Sequence, residues 1–440
     1  MVLDVRALQD IQSLTDPQAM SCYNGSSLFH RIMSTIAWWA SLDRQCEVVL
    51  ETSGHPPDNY HSESGQCETR GISGIHRRGG FLALSLIGRN PKDFSGATQL
   101  VHMALETVQA ERSLFALPTE PGLPQLFGSD YPGSDFLYHD YTIYRHDLLH
   151  SFPATAGRVG LHFAARLDSG SPLHDVAVVY LPKGKELIRF VFSAVSDALE
   201  PSARVLIVGD KRSSIRSINS VIRTYFGDPL SSRYGRHCVL IEARRAAAPM
   251  PFDGRKSYVV KWSRTEFGVV TLPGVFSYGK LDSGTKFLLE NLLTSGLEFQ
   301  SALDCGCGGG VIGTALKLIH PSRDIEFVDS NIMALESTRE TLRRNDLEDC
   351  HVYPSDVFSD VRGQYDLIVS NPPYHTGLAT DYSVTERLVG EANRYLTKSG
   401  RLMIVTNAFS KYASHLRNSF REVEMVARRR QYRVIVAHGG

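Results

Sequence analysis

An exocyclic amine on a base or amide shares its lone pair with the adjacent π system, so it attacks a methyl donor poorly until a site turns that pair outward. Asn371-Pro372-Pro373-Tyr374 has the residue types for this task. The Asn371 carboxamide oxygen and the Pro372 carbonyl can both accept from one NH2 group, while Tyr374 stacks on a flat ring. Pro372 and Pro373 fix φ and keep the preceding residue extended, so the acceptors are in place before substrate arrives. Alone, the tetrapeptide reads as the end of the apolar strand Leu367-Ile368-Val369-Ser370. Its distance downstream of a glycine-rich loop, as on one doubly wound sheet, makes Asn371, Pro372, Pro373 and Tyr374 the expected catalytic centre.

That loop is Asp304-Cys305-Gly306-Cys307-Gly308-Gly309-Gly310, between an apolar run at 301–304 and a helical run at 311–319. Its glycines let backbone approach a ligand at a helix N-terminus. Gly308 to Gly313 also satisfies the dinucleotide pattern G-x-G-x-x-G, and Asp329, closing the strand at 325–329, would sit on a ribose in either case. Three features select S-adenosylmethionine over a nicotinamide cofactor. Asp304 directly precedes the glycines, where it can bind an ammonium. Asp356 closes the third strand region, where it can accept from an adenine amine. The Asn-Pro-Pro-Tyr site has no use in hydride transfer.

The elements that must position these residues occur twice. Asp175-Val-Ala-Val-Val-Tyr-Leu-Pro-Lys183 aligns with Asp366-Leu-Ile-Val-Ser-Asn-Pro-Pro-Tyr374, and the helical run 187–199 and strand 203–208 lead to the counterpart of 400–405. Two copies of a strand-helix-strand pattern indicate a duplicated domain. In the first copy Tyr180, Leu181 and Lys183 replace the Asn, the first Pro and the Tyr, with no glycine-rich loop upstream, so it should be silent. The expected domains are an N-terminal region at 1–150 grouped with the first domain, a degenerate methyltransferase-like domain at 151–248, and a catalytic domain at 249–440. A linker is expected at 246–253, a short hairpin at 258–272, a covering loop at 273–282 and a helix at 283–293. Val423 to Ala427 and Tyr432 to Ala437 read as an antiparallel terminal hairpin, which distinguishes methyltransferase sheets from dinucleotide folds. Its Arg428-Arg429-Arg430 turn is either a phosphate contact or a solvated turn, as are Lys211, Arg212 and Arg216.

At 440 residues, with Lys+Arg 47 balanced by Asp+Glu 47, any nucleic-acid contact must come from local patches. The first ten residues lack an apolar signal core, and the apolar run 32–42 is too short to span a bilayer. A cytoplasmic protein without membrane attachment is expected, and a monomer. The seven cysteines are scattered and form no metal pattern, so no metal is expected. Residues 29–42 and 96–116 have helical spacing, with a polar loop at 53–80 between them. His139, His146 and His150 alternate with Tyr138, Tyr141 and Tyr144, read as half-buried packing rather than a metal or aromatic binding face.

From about Asp175 onward the chain resembles the bacterial rRNA guanine-N2 methyltransferases of the RsmC and RlmG group, duplicated enzymes with a silent first domain. The residues that carry the resemblance are Leu272-Pro-Gly-Val-Phe-Ser-Tyr-Gly-Lys-Leu-Asp-Ser-Gly284, Asp304 to Gly313, Phe327-Val-Asp329, Ser370-Asn-Pro-Pro-Tyr-His375 and Ile404 to Phe409. The resemblance implies an α/β class I methyltransferase sheet with an antiparallel terminal hairpin, preceded by the degenerate domain. It implies that Asp304, Gly306, Gly308 and Gly310 hold the methionine end of S-adenosylmethionine, Asp329 its ribose and Asp356 its adenine. Asp282 and Asn371 would also lie against the cofactor, and Asn371, Pro372 and Tyr374 would hold the target base. The function expected is N-methylation of an exocyclic amine, guanine N2 in ribosomal RNA, with RNA or a ribosomal subunit as partner. A small-molecule N-methyltransferase and a non-catalytic RNA-binding protein are the alternatives.

Overall fold

Strands buried on both faces of a parallel sheet are near-continuous apolar runs, and this chain carries two sets of them. The computed structural model describes residues 90–150, 159–213, 215, 218–246, 250–262, 265–292, 298–373, 379–407 and 412–439. The first set comprises β1 (Ser113–Ala116), β2 (Ser134–Tyr138), β3 (Val159–Phe163), β4 (His174–Tyr180), β5 (Leu199–Asp210), β6 (Ser231–Gly235) and β7 (Cys238–Arg244). After a two-stranded hairpin, β8 (Lys256–Trp262) and β9 (Thr265–Thr271), comes the second: β10 (Ser301–Cys305), β11 (Asp324–Asp329), β12 (His351–Pro354), β13 (Tyr365–Ser370), β14 (Leu396–Asn407), β15 (Glu422–Arg428) and β16 (Tyr432–His438).

The two sheets have one topology, β3-β2-β1-β4-β5-β7-β6 and β12-β11-β10-β13-β14-β16-β15, with five parallel strands followed by an antiparallel pair. The expected methyltransferase sheet with its terminal hairpin is therefore present twice. In the first half the connecting helices are α1 (Gly96–Leu105), α2 (Leu123–Phe127), α3 (Tyr141–His150), α4 (Lys185–Asp197) and α5 (Asn219–Phe226). In the second they are α6 (Ser283–Leu292), α7 (Val311–Ile319), α8 (Ile332–Arg344), α9 (Ala379–Glu391) and α10 (Tyr412–Ser419). Among the described residues no helix is long and apolar enough to cross a membrane.

Two expectations change. The helix expected over 96–116 ends at Leu105, and Ser113–Ala116 is β1, the strand between β2 and β4. A four-residue apolar run has too few residues to separate strand from helix by period. The boundary expected at 151 consequently falls inside a sheet, between β2 and β3, and residues 96–150 supply part of the first domain's core. Residues 29–42 and 53–80 lie outside the described residues.

The duplication extends to polar detail. The Asp175 carboxylate accepts from the backbone N–H groups of Glu111 (2.9 Å) and Arg112 (3.2 Å), just before β1. Asp366 accepts from Gln300 (2.8 Å) and Ser301 (3.3 Å), at the entry to β10. Both carboxylates satisfy strand-entry donors that have no ladder partner. From these anchors the register equates Phe115 with Asp304, Tyr138 with Asp329 and Tyr180 with Asn371. Ala165, two residues past β3, stands where Asp356 follows β12. Phe115 is fully buried and stacks between Phe127 and Phe136, while the Tyr180 hydroxyl pairs with Thr98 at 3.0 Å. Aromatic packing thus fills the first copy where the second keeps carboxylates.

The Tyr/His segment is packing as well. The Tyr138 hydroxyl donates to buried Asp147, His139 is bonded to the Ala165 carbonyl, and His146 stacks on His150 at 4.3 Å. Burial pushes His139 down to about 4, so it is neutral near pH 7.

The backbone bond from Gln300, ahead of the opposing effect of burial, holds the Asp366 carboxyl below its ordinary range. A group depressed in the folded state stabilises above its unfolded value, and that contribution is lost as pH falls through the folded value. Asp366→Asn is therefore expected to lower the thermal midpoint near neutral pH, with the gap from the parent closing below about pH 4. Melting curves across that range measure it.

Candidate active site

The C-terminal ends of β10, β11 and β13 open onto one cavity of about 950 Å³. Gly306 (φ 75°) and Gly308 (φ 57°) adopt left-handed backbone suited to glycine. Both line the cavity, and a Cβ added at either would meet no protein atom nearer than 4.0 Å. The space beside them is left for a ligand.

Asp329 lines the cavity and accepts from Gly308 N (3.0 Å) and Asn331 N (2.9 Å), which locks the glycine loop to β11. Asp356 lines it too, with its carboxylate on Arg387 Nη1 at 2.8 Å and its carbonyl on Nη2 at 2.8 Å. Its neighbour Val357 sits at φ 56°, strained for a β-branched residue, and its carbonyl accepts from Ser355 Oγ. Asp282, Asn371, Pro372 and Pro373 complete the wall among the expected residues. Tyr374 lies outside the described residues.

Two expected contacts are not in the wall. Asp304 is 1% exposed, beneath the loop, with one oxygen accepting from Gly313 N at 2.8 Å and the other without a partner. Gly310 packs against Thr338, where a Cβ would come within 3.3 Å of backbone, so it serves helix packing. Cys305 and Cys307 are buried free thiols pushed up by burial, in keeping with ordinary reduced cysteines.

Asn371 is held by two residues that sequence reasoning missed as partners. Its Nδ2 donates to Asp282 Oδ2 (3.0 Å) and to Thr285 Oγ1 (2.8 Å), at the start of α6. Both amide hydrogens are thereby used, and flipping the amide would set its oxygen against those two oxygens. Asn371 Oδ1 is buried with no hydrogen-bond partner. An unmet buried acceptor costs about 1–3 kcal/mol, and no donor among the described residues meets this one. Tyr432 and Asn407, paired across β16 and β14, also line the cavity. Asn407 lies in the 404–409 stretch, whereas no local motif marks Tyr432, which only the sheet brings to the cavity.

The covering loop is fastened down. Gly279 N donates to Thr271 Oγ1 at 2.9 Å, the Tyr278 hydroxyl donates to the Gly254 carbonyl, and Lys256 lies over the Tyr278 ring. The first copy braces the opposite edge. Tyr141 N donates to Ser330 O (2.7 Å), Ile332 N donates to His139 O (3.1 Å), and Arg145 pairs with Asp360 at 3.1 Å.

The charge around the loop is mostly acidic, with Arg387 on Asp356 as its counterweight. Asp304, Asp329 and Asp356 surround the loop, and burial, with Asp140 of the first copy adding to it, raises Asp329. Carboxylates against a glycine loop suit a cationic ligand and repel the pyrophosphate of a dinucleotide. The residues therefore fit S-adenosylmethionine, whose sulfonium and ammonium are both positive.

Sheet order, glycine loop and the acidic cavity above it define a class I, S-adenosylmethionine-dependent methyltransferase. The family model "Methyltransferase small domain" matches residues 266–436, and "Methyltransferase small domain N-terminal" matches residues 98–259. The chain is 33% identical over 305 residues to the ribosomal RNA small subunit methyltransferase C of Psychromonas ingrahamii, covering 69% of this chain and 85% of that one. It is 35% identical to that of Aeromonas hydrophila, covering 61% and 78%. The chain belongs to the ribosomal RNA small subunit methyltransferase C family. A solved Thermus thermophilus structure, a 16S rRNA N2 G1207 methyltransferase (RsmC) in complex with AdoMet and guanosine, shares the fold. Its TM-score is 0.66 at 22% identity, over 77% of this chain and 91% of that one.

Burial, aided by nearby Asp329 and opposed by the Gly313 bond, pushes the Asp304 carboxyl up to about 7. A cation bound nearby favours the ionised form. Affinity for S-adenosylmethionine is thus expected to rise from about pH 6 to about pH 8 and then level off, and Asp304→Asn to flatten that rise. Titration calorimetry at several pH values measures both.

Proposed function

We propose that the protein methylates the exocyclic N2 amine of a guanine in small-subunit ribosomal RNA, and that it works in the cytoplasm with the ribosome. The observation that carries this reading is the buried, unpartnered Asn371 Oδ1 beside the cavity, on an amide whose Nδ2 is held by Asp282 and Thr285. Support for the RNA class comes from the small-subunit methyltransferases that the chain resembles at 33–35% identity.

When bound, S-adenosylmethionine supplies an electrophilic methyl group. The chain's residues do the rest by positioning. Asn371 Oδ1 and the Pro372 carbonyl accept from the two hydrogens of the guanine amine, turning its lone pair out of conjugation and toward the methyl. The guanine enters from an unpaired or flipped-out position. No strong base is required: the amine becomes acidic as it is alkylated, and its proton leaves to water.

Incubation with methyl-labelled cofactor and separate samples of small subunits, large subunits, naked rRNA and a metabolite extract tests the reading. Label is expected in small-subunit RNA and, after nuclease digestion, in N2-methylguanosine. Label confined to small molecules contradicts it.

A further inference from the structure

The terminal hairpin holds four arginines in six residues, Arg428, Arg429, Arg430 and Arg433, in a chain whose formal charge is zero. One of them is committed. Arg429 pairs with Glu290 at 2.7 Å, lies over the Phe287 ring, and closes the turn through its N–H to the Tyr432 carbonyl. It fastens the turn to α6, the helix that supplies Thr285.

The other three have no ion pair among the described residues. Arg428 and Arg430 are exposed, and the Arg433 Nε is buried without a hydrogen-bond partner. Arg428 and Arg433 also stand directly opposite one another in the β15–β16 register. Like charges placed so destabilise a sheet unless an anion lies between them.

The position gives that anion a source. Tyr432, between Arg430 and Arg433, lines the cavity, and its ring is the nearest neighbour of Gly284 after Asp282. Arg430, in the turn between β15 and β16, is two residues from Tyr432, at most about 7 Å of chain. We infer that the β15–β16 turn, through Arg428, Arg430 and Arg433, binds the backbone phosphates of the RNA strand whose guanine occupies the adjoining cavity. This inference rests on the RNA reading above. Arginine forks match phosphate oxygens and hold a strand in register without reading its sequence.

The test compares the full-length protein with Arg428→Ser/Arg430→Ser and Arg428→Lys/Arg430→Lys. Binding of a small-subunit rRNA fragment is followed by fluorescence anisotropy over a salt series, and S-adenosylmethionine binding by calorimetry. The serine variant is expected to bind RNA roughly tenfold more weakly, with a logarithmic salt slope shallower by about 1.4 for two lost contacts. Its cofactor affinity should be unchanged, and the lysine variant should recover most of the slope. A serine variant with intact cofactor binding and parental RNA affinity and slope overturns the inference while leaving the RNA reading standing. A parent protein that binds no RNA and labels only small molecules overturns both.

Discussion

The proposed chemistry depends on two hydrogen bonds from one amide. Asn371 gives both Nδ2 hydrogens to Asp282 and Thr285, so its oxygen has a single possible direction and no partner within the protein. The rest of the structure holds those atoms still. Ser370 Oγ ties the end of β13 to the Cys305 carbonyl at 2.7 Å, and the covering loop that carries Asp282 is fastened through Thr271 and Tyr278. The proposed catalysis by positioning needs this rigidity, since a misplaced amine returns its lone pair to conjugation.

The first copy has packing where the second has its cavity residues. Its sheet, the Asp175 anchor on the entry to β1 and its terminal hairpin match those of the second copy. Its carboxylates and amine acceptor have become Phe115, Tyr138, Ala165 and Tyr180, which need no ligand. What the copy contributes instead is a brace. Residues 139–145 hold both the segment after Asp329 and the segment after Asp356, so the cofactor site is walled partly by a domain with no site of its own.

Much of this was legible in the sequence because it is local. The glycine loop and the strand closed by Asn-Pro-Pro each carry their signal within about ten residues, and the terminal hairpin within 423–437. β1 was not legible, since Ser113–Ala116 is too short to show a period and only pairing with β2 and β4 makes it a strand. Asp304 stood in the right place but points its bonding beneath the loop, a burial that a linear pattern does not encode. Thr285, Arg387 and Tyr432 were missed for one reason: each reaches the site across the fold, Thr285 from 86 positions away and Arg387 from 31.

The most direct measurement is a single-turnover methyl-transfer rate for Asn371→Ala on small-subunit RNA, alongside its dissociation constant for S-adenosylmethionine. The transfer rate should fall by roughly a hundredfold or more while the cofactor constant stays within about threefold. A variant that transfers methyl at the parental rate would remove Asn371 from the chemistry.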